Sequence, residues 1–84
     1  MHVFVYKSLR KADTYLYLRV RDGFDVVPDA VRAPLGGLQP VLEFDLVEGR
    51  RLAQADPEVV RTNLLARGFH LQFPPTMPDP MVDG

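Results

Sequence analysis

The sequence predicts an α+β domain with its elements in the order ββαβαβ, and three stretches carry that prediction. Residues 2–7 and 14–21 are rich in β-branched and aromatic residues and flank a polar segment, which is the pattern of a hairpin. Residues 56–68 hold a helix with both a start and a stop signal. Residues 69–73 then alternate as a strand and halt at Pro74-Pro75. The chain has 84 residues, enough for one domain with a small core. Hydrophobic residues make up 46% and charged residues 25%, a globular rather than a disordered composition.

Each element has a local reason. In residues 14–21, Leu16, Leu18 and Val20 point one way, and Tyr15, Tyr17, Arg19 and Arg21 the other. Placing Val5 opposite Leu18 would pair Val3 with Val20, Phe4 with Arg19 and Tyr6 with Tyr17. That register separates an aliphatic face from an aromatic and basic one. Arg21-Asp22-Gly23 is a turn signal. Pro28 suits the first position of a short helix, PDAVRA, which Pro34 and Gly36-Gly37 end. Residues 39–46 form a third strand, with Leu42, Phe44 and Leu46 on its apolar face and Glu43 and Asp45 on the other. Glu48-Gly49-Arg50 is the next turn. Asp56 is an N-cap, Pro57 fits the first helical position, and Glu58 suits the positive end of the helix dipole. Val60 and Leu64 stack one turn apart with Leu65 beside them, and Gly68 closes the helix in the left-handed conformation. The hairpin makes the first two strands antiparallel; the pattern does not fix the direction of the others.

Composition narrows the function classes. The absence of cysteine excludes a disulfide framework and thiolate metal sites, and it fits a reducing, cytoplasmic setting. The first residues lack the charge order of a secretory signal, and no apolar run is long enough to cross a membrane. Net charge is −1, but it is unevenly spread. Residues 1–21 carry Lys7, Arg10, Lys11, Arg19 and Arg21 against Asp13 alone, while the remainder holds five arginines against ten carboxylates. Such a layout steers an anionic partner to one end.

Catalytic and metal signals are weak. Ser8 is the only serine, and neither His2 nor His70 is adjacent to it in sequence. With no Gly-x-Ser-x-Gly elbow, a strand-end serine bonded to loop backbone is the favoured reading. Glu43 and Asp45 share a strand face as a hard-cation pair would, but a solvated strand face has the same pattern. Gly36-Gly37 lacks the lysine and spacing of a phosphate loop. The stronger candidate is the hairpin, where Phe4, Tyr6, Tyr15 and Tyr17 could stack bases, Arg19 and Arg21 hold phosphates, and Lys7, Arg10 and Lys11 extend the positive field. Against this stands burial of the rings under helices. Residues 74–80, leading into the proline-rich tail 76–84, are pre-extended and could dock on a partner, against the favoured reading of a tail that lies on its own domain or is disordered.

The chain also resembles the YcgL domain family. The resemblance rests on VYKS at 5–8, TYLYL at 14–18, FDVVP at 24–28, RRLAQAD at 50–56 and GFHLQFPP at 68–75. It implies a domain over residues 1–75, built as a small α/β sandwich with helices packed on a four-stranded, mostly antiparallel sheet. It implies no established activity and no catalytic or cofactor residues. His2 stands where a cysteine is common in that family, and His70 where an aromatic is.

The expectation is therefore a cytoplasmic, cofactor-free binding or adaptor domain with no catalytic or metal residues assigned. Its partner is a macromolecule, protein in preference to nucleic acid, bound through Lys7, Arg10, Lys11, Tyr15, Tyr17, Arg19 and Arg21. The alternative is weak single-stranded nucleic-acid binding through the same face. A small hydrolase-like enzyme built on Ser8, His70 or the Glu43/Asp45 pair is the third. A sheet edge left open by the last strand would allow two copies to pair.

Overall fold

The computed structural model of the chain describes residues 1–46 and 56–73. Strand β1 is His2–Ser8 and β2 is Tyr15–Leu18. A 3₁₀ turn at Phe24–Val26 leads into the short helix α1, Asp29–Arg32, and a second 3₁₀ turn, Ala33–Leu35. Strand β3 is Leu38–Asp45, helix α2 is Pro57–Arg67 and β4 is Phe69–Gln72. The predicted element order is the observed one. The strands form one sheet in the order β3-β1-β2-β4, and every neighbouring pair is antiparallel.

Both faces of the sheet are covered, which makes the α/β sandwich. On one face Val3, Val5, Tyr17, Phe44 and Leu46 pack with Val60 and Leu64 of α2. On the other, Tyr6, Leu16, Leu18 and Phe69 pack with Val27, and Phe24 and Val31 join them from the 24–35 segment. An apolar sheet must bury its faces against something, and here each face has its own cover.

This double cover overturns the predicted hairpin register. Leu18 lies opposite Phe4 rather than Val5, and Tyr17 lies opposite Val5. A one-residue shift turns every β2 side chain to the other face relative to β1. Phe4 and Tyr6 thus share a face with Leu16 and Leu18, while Tyr15 and Tyr17 share one with Val3 and Val5. Separating aliphatic from aromatic residues assumed one dry face, and with two dry faces nothing rewards that separation.

Strand β2 also ends three residues before its predicted limit. The Gly23 amide bonds to the Val20 carbonyl (3.0 Å), and Asp22 takes the left-handed conformation at φ 56°. In β3 the pairing slips between Val5 and Tyr6, opposite Leu42 and Pro40, leaving Val41 as the extra residue of a bulge. Leu42, placed by the sequence on the apolar face of this strand, is 58% exposed there. Pro40 has no amide to donate and is at home on this edge strand.

Helix α2 begins and ends as its sequence predicts. The Glu58 amide donates to the Asp56 carboxylate (2.9 Å), and Gly68 at φ 85° donates its amide to the Leu64 carbonyl (3.0 Å). Val60 and Leu64 are fully buried, but Leu65 is 58% exposed, so the contact stripe is narrower than predicted. Pro28 caps α1 instead of occupying its first turn. The turn predicted at residues 48–50 and the 76–84 segment lie outside the described residues.

Candidate binding surface

Ser8 builds the hairpin end. Its hydroxyl donates to the Leu35 carbonyl (2.6 Å) and accepts from the backbone amides of Lys11 (2.9 Å) and Arg10 (3.3 Å). The Ser8 amide donates to the Thr14 carbonyl (2.9 Å), and Asp13 turns the chain at φ 54°. The hydroxyl is buried and fully engaged with backbone, so Ser8 organises the loop rather than standing ready as a nucleophile.

That loop collects cations at one end of the sheet. Lys7, Arg10 and Lys11 are all exposed. Arg10 reaches the Ala33 carbonyl with its guanidinium (3.3 Å). Among the described residues no carboxylate lies within ion-pair distance of any of the three. Tyr15 is half-buried and packs against the α2-side core, opposite Lys7 on β1 and Gln72 on β4.

The other sequence-predicted residues do not join this group. Tyr17 is only 7% exposed. Its hydroxyl donates to Gln72 Oε1 (2.5 Å), and its ring meets the His70 ring edge-on at 5.4 Å. Burial pushes the Tyr17 phenol above its ordinary pKa. His70 is 9% exposed and accepts a hydrogen bond from Asn63 Nδ2 (2.9 Å) at Nδ1. Burial, with Arg67 nearby, lowers its pKa, in keeping with a neutral ring that accepts.

Arg19 and Arg21 follow the far end of β2, whose last residue Leu18 is roughly 10 Å along the strand from Tyr15 at the usual rise per residue. Arg19 borders a cavity of about 390 Å³ with Val20, Asp25, Val26 and the backbone of Gly23 and Gly68. Arg21 is ion-paired to Glu43 (3.1 Å), and its guanidinium sits 5.0 Å from the centre of the Phe4 ring. The seven predicted residues therefore divide into a hairpin-end group, one core tyrosine and two arginines at the opposite end.

A further cluster at that opposite end was not assembled by sequence reasoning. His2 Nε2 lies 3.0 Å from Glu43 and Nδ1 lies 3.0 Å from Asp45. A carboxylate at each nitrogen favours the imidazolium form, in which both ring N–H groups donate. Those bonds, Glu43 first, raise the His2 pKa, and His2 in turn lowers that of Glu43. The i, i+2 carboxylates were legible, but their partners needed the β3–β1 neighbourhood. Because the two nitrogens face different carboxylates, the cluster is a chain of ion pairs. Among the described residues no group of three or more His, Cys, Asp or Glu is arranged to hold a metal, and no helix is long and apolar enough to cross a membrane.

Comparison with known proteins matches the YcgL domain model over residues 3–75. A YcgL domain-containing protein of Thioalkalivibrio sulfidiphilus is 49% identical over 81 residues, covering 96% of this chain and all of its own. YcgL domain-containing proteins of Xanthomonas campestris and Stenotrophomonas maltophilia are 51% and 49% identical over 77 residues, covering 92% of this chain and 90% of each relative.

Proposed function

Because the chain belongs to the YcgL domain family, whose members found here are named for the domain alone, we propose a function from its own surface: a small non-catalytic binding domain that receives an acidic segment of a protein partner at its hairpin end. The observation that carries this is that Lys7, Arg10 and Lys11 follow closely in sequence at the hairpin end, exposed and without a carboxylate within ion-pair distance among the described residues. Opposite charge steers encounter and sets orientation more than it adds affinity, which suits a transient adaptor. The Ser8 hydroxyl holds the backbone of Arg10 and Lys11 in a defined loop, beside Lys7 on β1.

A nucleic-acid partner would also favour the cations, but base stacking needs exposed rings. Tyr17 is in the core and Tyr15 is half-buried, so the surface suits an acidic peptide better. The test is an amide-shift titration of the labelled protein with an oligoglutamate peptide and, separately, with single-stranded RNA, at low and physiological salt. The expected result is shifts on residues 7–15 with the peptide, weakening with salt and absent in Lys7→Glu/Lys11→Glu. Stronger shifts with RNA would replace the protein partner by a nucleic acid, and a flat titration with both at low salt would overturn the surface itself.

A further inference from the structure

The 24–35 segment covers only part of its sheet face. Beyond it lies an open groove of about 280 Å³ with Phe4 at its floor, residues 40–43 along one side and residues 21 and 22 along the other. The second side is fixed by hydrogen bonds. Tyr6 donates its hydroxyl hydrogen to Asp22 Oδ1 (2.9 Å) and accepts from the Asp22 amide (2.7 Å), which holds Asp22 at its left-handed φ of 56°.

The side chain of Arg21 walls this groove and reaches over the Phe4 ring to Glu43. Its guanidinium carbon is 5.0 Å from the Phe4 ring centre, and Nη2 is 3.1 Å from Glu43 Oε2. His2 meets the same ring edge-on at 4.9 Å and shares the same Glu43 oxygen. An aromatic face with a carboxylate at its rim offers a guanidinium both things it binds, a π-system to lie over and an anion for a charge-assisted hydrogen bond. The chain's own arginine demonstrates the fit. Arg21 is nonetheless weakly held, since its side chain is 66% exposed and exposed pairs of this kind contribute little.

We propose that the Phe4–Glu43 part of this groove is a guanidinium-binding site, occupied in the free protein by Arg21, that accepts an arginine side chain from a basic peptide segment of a partner in its place. With Arg21 displaced, the charged residues left in the lining are Glu43 and Asp22, so charge selects a cation. The flat Phe4 face selects the planar guanidinium over the compact, strongly hydrated ammonium of lysine. Val41 and Leu42, exposed on the adjoining edge strand, supply apolar contact for the residues beside that arginine. The Phe4, Arg21 and Glu43 side chains that form the site are separate from Lys7, Arg10 and Lys11, and the site does not rest on the hairpin-end reading.

The test compares wild type, Arg21→Ala and Arg21→Ala/Glu43→Gln, with acetyl-arginine amide and acetyl-lysine amide as probes. Binding is followed by NMR at Phe4, Val41 and Glu43. Removing the competing side chain should strengthen arginine binding roughly five- to tenfold, given the small worth of an exposed ion pair and cation–π contact. The second substitution should abolish that gain. The proposal is overturned if Arg21→Ala, with a native-like spectrum, binds no better than wild type, if the gain survives Glu43→Gln, or if the lysine probe binds as well as the arginine probe. Arg21→Gln, which keeps most of the side-chain length, guards against a folding defect in the alanine variant.

Discussion

The two histidines show how one residue type takes opposite roles from its surroundings. His70 is buried under α2 against Asn63 and Tyr17, and its folded pKa lies below the ordinary 6.5. The unfolded chain therefore takes up the proton first as pH falls. The stability linked to His70 is complete above pH 6.5 and is lost as pH falls through the lower folded value. His2 is exposed between two carboxylates, and its folded pKa lies above 6.5. Its contribution is complete below pH 6.5 and fades as pH rises through the higher folded value. Denaturant unfolding from pH 8 to pH 5.5 should show His70→Phe flattening the acid-side loss of stability, and His2→Ala steepening it. An unchanged profile in both variants would refute the assignment. Ser8 was legible from sequence as a structural residue because a lone strand-end hydroxyl has nearby backbone to bond. The burial of Tyr17 was not, since a tyrosine reads alike whether its ring is covered or exposed.

At the scale of elements, α2 is the most local. Its cap, first proline and closing glycine are consecutive sequence signals acting within one turn of each end. Gly68→Ala should cost about 1 kcal/mol or more, from the positive φ and from a Cβ that would approach Val26 to 3.3 Å. Asp56→Ala should cost about 0.5–2 kcal/mol through the lost cap. Both are measurable by chemical denaturation, and a neutral Gly68→Ala would contradict the closure geometry. The strands are less local. The hairpin register depends on what covers each face, and the bulge in β3 appears only when Pro40 is matched against Tyr6 across the sheet. Glu43 and Asp45 were visible as a pair, while His2 and Arg21 reach them only through the β3–β1–β2 order.

The whole molecule is two thin half-cores sharing one sheet. Tyr6 belongs to one and Tyr17 to the other, so tyrosine fluorescence samples both sides while backbone circular dichroism follows the sheet and helix. Val5 and Leu16, on opposite faces, lie on adjacent paired strands, so neither half-core can lose its sheet without exposing the other. Leu64→Ala on the α2 side and Leu16→Ala on the other should each cost about 2–5 kcal/mol and move one common transition. In a domain whose total stability is ~5–15 kcal/mol, either change is a large fraction. Separate midpoints for fluorescence and circular dichroism would show that the half-cores unfold independently.

By itself the sequence determined the class and order of the elements, the limits of α2, the structural role of Ser8 and the concentration of cations near the hairpin. These depend on periodicity, capping and composition, all set within a few residues along the chain. Tertiary structure alone decided that β3 joins β1, that both faces are covered, that Tyr17 is core, and that Arg21 lies over Phe4 beside Glu43. Those facts follow from which strands become neighbours, and such pairing is chosen by the burial of the whole sheet rather than by any short run of residues.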